Sequence, residues 1–252
     1  HTLAARYALA AGNNALAISH ANQGISSRAG DLVTQHGTAQ YNRNLMYQFV
    51  IDQRQDYLVA TDSHLANLLD GTTARALATP GNSLVYASYF LADGTVGSPS
   101  YRTLLNTDDG GRYSQTSSMP IATYYENELI LAEAELAGGD ASAALGHLNN
   151  VRADHDATYG SGAGDVYAPL LLTMFDANGH FNDGSMTQAE ALKMEIMKEK
   201  YMSLYGQLEV WNDLRRTKNL IGVPIPAYYI STYLIQSSMN IIPLSLWFWM
   251  GR

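Results

Sequence analysis

The segment that most constrains the fold is residues 199–218, which joins a helical stripe to a turn glycine and an acidic, aromatic and basic run. Thr187 and Glu190 form a capping box, so the helix that leads into this segment is predicted to begin near Gln188. Its apolar side chains recur at alternating steps of three and four residues, which places them on one helix face: Met194, Met197, Tyr201, Leu204, Leu208 and Trp211. We therefore predict a buried ring for Trp211.

Gly206 and the run that follows it predict a helix end held by ion pairs. Glycine breaks or bends a helix, and residues 209–216 then place an acid and two guanidinium groups within one or two helical turns. Side chains three and four residues apart on a helix can pair. Because ion-pair clusters are more often structural than ligand-binding, we interpret this run as a salt-bridged helix end beneath a core tryptophan.

A helix–turn–helix pattern occurs twice in the sequence. The turn residues Gly12 and Asn13 align with Gly139 and Asp140 at an offset of 127 residues (139 minus 12). The same offset aligns four apolar pairs: Ala5 with Ala132, Leu9 with Leu136, Ala17 with Ala144 and Ile18 with Leu145. Small alanines allow two antiparallel helices to pack closely, glycine ends the first helix, and asparagine or aspartate caps the second. This logic predicts tetratricopeptide-like helical hairpins.

The repeat divides the chain into hairpins and an insertion. The hairpins are predicted to cover residues 1–28 and 119–152, and the second begins near Pro120, a residue suited to the first helical turn. Because the copies are not tandem, residues 29–118 are predicted to form a loop-rich insertion between them. The helices of the C-terminal run cover residues 185–218. The predicted fold class is therefore all-α.

Local patterns within the insertion are mixed. Asp62 and Ser63 can cap a short helix that runs through Leu69. Residues 83–91 read SLVYASYFL between two turn signals and predict a strand. Residues 94–118 are rich in Gly, Ser, Thr and Asp and predict a long loop.

Two segments together carry the signature of a known family. Residues 125–152 contain an Ala-Glu-Ala-rich helix, a Gly-Asp turn and an Ala-Leu helix that ends in Leu-Asn-Asn-Val-Arg. The C-terminal run matches a Glu-Lys/Arg-Tyr helix that leads through a glycine to Glu-x-Trp-x-Asp/Glu-x-Arg-Arg, at Glu199, Lys200, Tyr201, Gly206, Glu209, Trp211, Asp213, Arg215 and Arg216. The chain therefore resembles the SusD/RagB family, the surface glycan-binding lipoproteins of Bacteroidetes.

The resemblance implies a function at the cell surface. A SusD-like protein binds oligosaccharide or another nutrient and delivers it to a SusC-like TonB-dependent outer-membrane transporter. It is a binder and not an enzyme, with no cofactor, and a lipid anchor holds it on the extracellular face of the outer membrane. A family member would be about twice as long and would begin with an export signal and a lipid-modified cysteine, so we expect these residues to be its C-terminal portion.

Two other functions stay open. An intracellular tetratricopeptide scaffold predicts tandem repeats of about 34 residues, which the 127-residue separation contradicts. A helical glycoside hydrolase would need two carboxylates placed across a sugar cleft. Glu126, Glu128, Glu133 and Glu135 are acidic neighbours, but glutamate is a good helix former and these positions flank a predicted apolar stripe.

Composition favours a sugar ligand over a nucleic acid. The net charge of −8 leaves no broad positive surface for phosphates, and the absence of cysteine excludes disulfides and thiolate metal sites. Seventeen tyrosines offer ring faces on which sugar C–H groups stack, together with hydroxyls that hydrogen-bond. We predict ligand contacts in the insertion at Tyr86, Tyr89, Tyr101, Arg102, Asn106 and Tyr113.

Three remaining segments carry no predicted site. Residues 176–184 have the composition of a calcium loop but lack glycine at the sixth place, so we interpret them as a polar loop. Residues 154–156, Asp-His-Asp, have no partner at a recognised metal-ligand spacing and are interpreted as a solvated helix end. Residues 235–252 depart from the family pattern, and we expect their apolar stretch to be buried.

Overall fold

Helices dominate the part of the chain that the structure describes. The computed structural model describes residues 1–55, 57–69, 82–95, 98, 100–159 and 167–224, so residues 235–252 lie outside it. The α-helices are α1 (Thr2–Ala10), α2 (Asn14–Ala21), α3 (Leu45–Tyr47), α4 (His64–Leu69), α5 (Asn82–Tyr89), α6 (Tyr124–Ala137), α7 (Ala141–Tyr159), α8 (Gln188–Ser203) and α9 (Leu208–Arg216). Helix α3 continues as a π-helical turn, Gln48–Gln53, and short 3₁₀ helices cover Arg28–Gly30 and Leu172–Phe175.

Four short strands form two antiparallel pairs. The described chain is otherwise mainly helical, so the predicted fold class holds in the coarser form of a mainly helical fold. Strand β1 (Leu32–Val33) pairs with β4 (Pro120–Ala122), and β2 (Phe90–Asp93) pairs with β3 (Arg102–Leu105). The predicted loop over residues 94–118 therefore contains a strand.

The strand predicted over residues 83–91 is mostly helix. Helix α5 ends at Tyr89, and only then does β2 begin. Val85 and Tyr89, one helical turn apart, are both buried. A short apolar run fits a strand or a buried helix equally well, and packing against the core decides for the helix here.

The two helix–turn–helix units have turns with one shared hydrogen-bond pattern. Gly12 and Gly139 adopt positive φ angles of 75° and 94°. The next amide, of Asn13 or Asp140, donates to the carbonyl oxygen five residues earlier, at 2.9 and 3.0 Å, as in a glycine-closed helix end. The Asn13 and Asp140 side chains then accept hydrogen bonds of 3.1 and 2.8 Å from amides three residues later. The predicted turns and caps are confirmed.

Helix α6 begins at Tyr124, so the predicted start near Pro120 is wrong. Thr123 caps the helix, because its Oγ1 accepts a hydrogen bond from the Glu126 amide at 3.2 Å. Pro120 lies in β4, at the edge of a two-stranded sheet. Proline suits a sheet edge as well as a first helical turn.

Two other helix starts are as predicted. The Thr187 hydroxyl accepts from the Glu190 amide at 3.3 Å, and the Glu190 carboxylate accepts from the Thr187 amide at 2.8 Å. This capping box begins α8 at Gln188. At α4, the Ser63 hydroxyl accepts from the Ala66 amide at 3.2 Å.

The apolar stripe of α8 does not continue into α9. Gly206 has a φ of +87°, and α9 begins two residues later with a new orientation. Leu208 is 72% exposed and Trp211 is only partly buried, whereas the earlier part of the stripe is buried at Met197, Tyr201 and Leu204. The prediction of a buried Trp211 is therefore wrong.

Helix α6 lies at the centre of the described fold. It packs against α1, α2, α7 and α8, and ten of its fourteen residues are buried. The predicted single apolar stripe is thus too narrow for this helix. Burial includes Glu126, Glu128 and Glu133. Buried carboxylates must find partners inside the protein.

We expect Asp140→Ala to lower the free energy of unfolding by about 1 kcal/mol, because the first turn of α7 loses its side-chain acceptor. Asp140→Asn keeps an acceptor in place and is the matched control, with a much smaller change. Urea denaturation followed by far-UV circular dichroism measures both. Equal stability of Asp140→Ala and the wild type would contradict the capping role.

Candidate functional site

Four charged side chains of the two signature segments form a closed group, here called the Glu133 cluster: Glu133 from α6, Lys200 from α8, and Asp213 and Arg216 from α9. The Lys200 ammonium lies 3.5 Å from a Glu133 carboxylate oxygen and 3.0 Å from Asp213 Oδ2. The Arg216 guanidinium donates to both Glu133 oxygens and lies 2.6 Å from Asp213 Oδ1. Two acids and two bases alternate, so the cluster is neutral and ties three helices together.

The pKa of Glu133 reflects how strongly the two cations hold its carboxylate. Burial raises the pKa of a carboxyl group, but Lys200 and Arg216 outweigh burial and lower the Glu133 pKa from 4.5 to about 2. A depressed folded-state pKa stabilises the fold at pH values above the unfolded pKa. This stabilisation, on the order of 3 kcal/mol, is lost as the pH falls from about 5 towards 2.

A second ion-pair group joins α1 to α6 and α9. Arg6 donates to both carboxylate oxygens of Glu126, at 2.7 Å from Nη2, and its Nη1 lies 3.5 Å from Glu209. Burial raises the pKa of Glu209, although Arg6 opposes the shift. The ion pairs that were predicted for the C-terminal run are present, but the tryptophan of this run, Trp211, is only partly buried and is not a core residue.

A cleft of about 400 Å³ opens beside these ion pairs. Its charged lining includes Arg6, Lys200, Glu209, Asp213 and Arg216. Each of these five groups lies within 4 Å of an opposite charge, whereas a sixth charged lining residue, Arg215, lies over the Trp211 ring. The charges of these five side chains are therefore paired within the protein.

The signature residue Glu199 contacts His155 in the interior. The His155 Nε2 lies 3.1 Å from a Glu199 oxygen and 3.2 Å from Ser203 Oγ, so the acid and the hydroxyl approach the same ring nitrogen. A hydrolytic triad needs them on opposite nitrogens, and the His155 Nδ1 has no hydrogen-bond partner among the described residues. Because His155 is buried, the prediction of a solvated helix end at residues 154–156 is wrong.

Trp211 lines a pocket of about 250 Å³, here called the Trp211 pocket. The pocket lies where the turn between α8 and α9 faces the start of α3 and the residues before β4. Its aromatic lining consists of Tyr113, Tyr205 and Trp211, and its amide and hydroxyl groups come from Asn44, Ser118 and Gln207. The Arg215 guanidinium lies over the Trp211 ring, 5.6 Å from the centroid.

Three of the six predicted ligand contacts lie inside the fold. The Tyr89 hydroxyl donates to the Met202 carbonyl oxygen at 2.8 Å, and the residue is 2% exposed. The Asn106 amide donates to the Ala87 carbonyl oxygen at 2.6 Å, and its oxygen accepts from a nearby amide at 3.1 Å. Tyr113 is buried but reaches the Trp211 pocket. The polar groups of Tyr89 and Asn106 therefore bond within the fold, and a ligand role for these two residues and Tyr113 stays a prediction.

The other three predicted contacts are partly exposed. The Tyr86 ring packs on Phe90 with 5.2 Å between centroids, and Arg102 pairs with Asp93 across the β2–β3 sheet at 2.6 Å. Tyr101 directly precedes β3. A ligand role for these residues stays a prediction, but the structure does not gather the six at one site.

Sequence reasoning missed five polar or aromatic residues of the Trp211 pocket, namely Asn44, Arg112, Ser118, Tyr205 and Gln207. Tyr205 and Gln207 flank the signature glycine, Gly206, so the turn itself was an available signal. Arg112 stands in a Gly- and Ser-rich stretch and carries no motif.

Comparisons with protein-family models, curated proteins and solved structures found no match to this chain. The resemblance to SusD-like proteins therefore depends on the signature residues alone. Within the described ranges, no helix has the length and apolar content that crossing a bilayer requires. In the same residues, no group of three or more His, Asp or Glu side chains is placed to hold a metal ion.

We expect Glu133→Gln to lower the free energy of unfolding by about 3 to 5 kcal/mol, because Lys200 and Arg216 then share a single buried acid. Glu135→Gln, two residues along the same helix and partly exposed, is the matched control and should change stability by less than about 0.5 kcal/mol. Urea denaturation at pH 7 compares them.

The same measurement at pH 3 should bring the wild type and Glu133→Gln closer together. At pH 3 the Glu133 carboxyl group is protonated in the unfolded state, whereas in the folded state, with a pKa of about 2, it stays ionised. The charge therefore stabilises the folded state less at pH 3 than at pH 7. A difference that stays constant from pH 7 to pH 3 would contradict the role assigned to the Glu133 charge.

Proposed function

We propose that this chain is a SusD-like nutrient-binding protein. It binds oligosaccharide or another nutrient at the extracellular face of the outer membrane and passes it to a SusC-like TonB-dependent transporter. It acts by recognition and not by catalysis. The units α1–α2 and α6–α7 are tetratricopeptide-like hairpins in this proposal, and they carry the segments that line the ligand site.

The Trp211 pocket is the observation that carries the proposal. Sugars bind where an aromatic face meets amide and hydroxyl groups, because pyranose C–H groups stack on the ring while the sugar hydroxyls hydrogen-bond. Trp211 and Tyr205 supply rings, and Ser118 and Gln207 supply polar groups. The partial exposure of Trp211 leaves part of this aromatic surface available.

The contact between the two signature segments supports the family assignment. Glu133 belongs to the first segment, whereas Lys200 and Arg216 belong to the second. Although 67 and 83 residues separate them from Glu133, the three side chains meet in one ion-pair cluster. A chance match of two unrelated motifs would not require such a junction.

We expect an oligosaccharide array to identify a ligand for the full chain, and Trp211→Ala to weaken its binding. Loss of one stacked ring should raise the dissociation constant several-fold to about thirtyfold, which corresponds to about 1 to 2 kcal/mol. Tyr7→Ala is the control, since Tyr7 is also exposed but lies in α1 outside the pocket. Isothermal titration calorimetry with the best array ligand provides the measurement.

The same ligands should release no new reducing ends during incubation with the protein. Turnover that survives purification and disappears on substitution of one carboxylate would replace the binding proposal with a glycoside hydrolase. Equal affinities of Trp211→Ala and wild type, with the fold intact, would place the glycan elsewhere on the protein.

A further inference from the structure

Arg112 brings a positive charge to the Trp211 pocket without a partner from the described part of the chain. Among the described residues, no carboxylate oxygen lies within 4.0 Å of its guanidinium, and its side chain donates no hydrogen bond to them. Burial raises the pKa of Asp31, and the Arg112 charge opposes this shift from a distance. The Asp31 carboxylate itself accepts a hydrogen bond from the Tyr124 amide at 2.7 Å and forms none with Arg112. The guanidinium instead lies over the Tyr89 ring, 5.3 Å from the centroid.

The tyrosines beside Arg112 do not supply the missing negative charge. Burial raises the pKa of Tyr89 to about 12 and raises the pKa of Tyr113 well above its usual value of 10. Both hydroxyls are protonated at neutral pH, so the rings attract Arg112 only through their π-electrons. Keeping a partly buried cation without a counter-charge is costly. An anion from outside the described chain would remove this cost.

Gln207 adds donors to the same pocket. Its side-chain Nε2 is buried and finds no acceptor among the described residues. Gln207 also occupies the N-cap of α9 without a capping hydrogen bond, so the first amides of this helix lack a side-chain acceptor. Helix N-termini favour negative groups. The Arg112 guanidinium, the Gln207 amide and the start of α9 therefore all suit an anionic oxygen ligand.

The remaining lining selects a ring-shaped ligand. Apolar groups come from Met46, Met119 and Leu208, and Trp211 contributes its indole. The volume of about 250 Å³ lies just below the range of pockets for drug-sized molecules, so the pocket accommodates a single ring.

We propose that the Trp211 pocket binds one sugar ring that carries a carboxylate, with the carboxylate on Arg112 and Gln207 and the ring face on Trp211. Arginine suits this task because its planar guanidinium donates two parallel hydrogen bonds to a carboxylate. This inference rests on the proposed glycan-binding function and narrows the ligand to acidic sugars.

The test compares three probes by NMR titration of the full chain: D-glucuronate, D-glucose and phenylacetate. Glucuronate and glucose differ only in a carboxylate that replaces a hydroxymethyl group, so their comparison isolates the charge. We expect glucuronate to bind at least about tenfold more tightly than glucose, on the scale of hydrogen bonds to charged groups. Phenylacetate has a ring and a carboxylate but no sugar hydroxyls, and we expect it to bind more weakly than glucuronate.

Arg112→Gln should remove most of the preference for glucuronate and leave glucose binding unchanged. Arg54→Gln is the matched control, because the Arg54 guanidinium also lies over a tyrosine ring, Tyr57 at 5.5 Å, but outside the pocket. Circular dichroism checks that each variant is folded. If Arg112→Gln fails to fold, Arg112→Lys keeps the charge without the paired donors and should still weaken glucuronate binding several-fold.

Each outcome separates the anion site from the wider function. Equal binding of glucuronate and glucose, including no binding of either, overturns the acidic-sugar site, and array binding of neutral glycans would then leave the proposed function standing. Phenylacetate binding more tightly than glucuronate, and lost in Arg112→Gln, keeps the anion site but overturns its sugar ligand. Glucuronate binding unchanged in a folded Arg112→Gln also overturns the proposal.

Discussion

The Glu133 cluster is the interaction on which the rest of the described structure depends. Helix α6 is buried on several sides, and a helix in that position can keep Glu133 ionised only if cations reach it. Lys200 and Arg216 do so from opposite sides of the Gly206 turn. The cluster therefore fixes how α8 and α9 meet, and through that junction it fixes the turn that lines the Trp211 pocket.

The features that sequence reasoning predicted correctly are those that local chemistry decides. A glycine followed by asparagine or aspartate specifies a helix end and the next cap within a few residues, and both turns formed as predicted. The capping box at Thr187 needs only its own first turn. These signals do not depend on which surface the helix later packs against, so the sequence alone determines them.

The failures occur where tertiary packing decides. The sequence of α5 is compatible with a strand or a helix, and the burial of Val85 and Tyr89 in one core favours the helix. By spacing in the sequence, Trp211 continues the apolar stripe of α8. Gly206, with its positive φ, ends α8 before Trp211 is reached, so the Trp211 side chain does not lie on the buried face of that helix. The tyrosines of the insertion have apolar rings as well as hydroxyls. At Tyr89 the ring is buried in the core and the hydroxyl donates a hydrogen bond to a backbone carbonyl oxygen. The role of Arg112 could not be predicted for a different reason. Whether an arginine has an ion-pair partner depends on its neighbours in the fold, which the local sequence does not show.

The short helix α9 couples the fold to the candidate site through its two faces. Glu209, Asp213 and Arg216 recur at steps of four and three, which places them on one side of the helix, and all three take part in ion pairs with α1, α6 or α8. Leu208 and Trp211 lie three residues apart on another side of the helix, and both line the Trp211 pocket. The ion pairs and the buried side chains of Val210 and Leu214 anchor the helix, so the side that carries Leu208 and Trp211 can stay partly exposed. This arrangement explains how a tryptophan in a salt-bridged signature can line a pocket and need not fill the core.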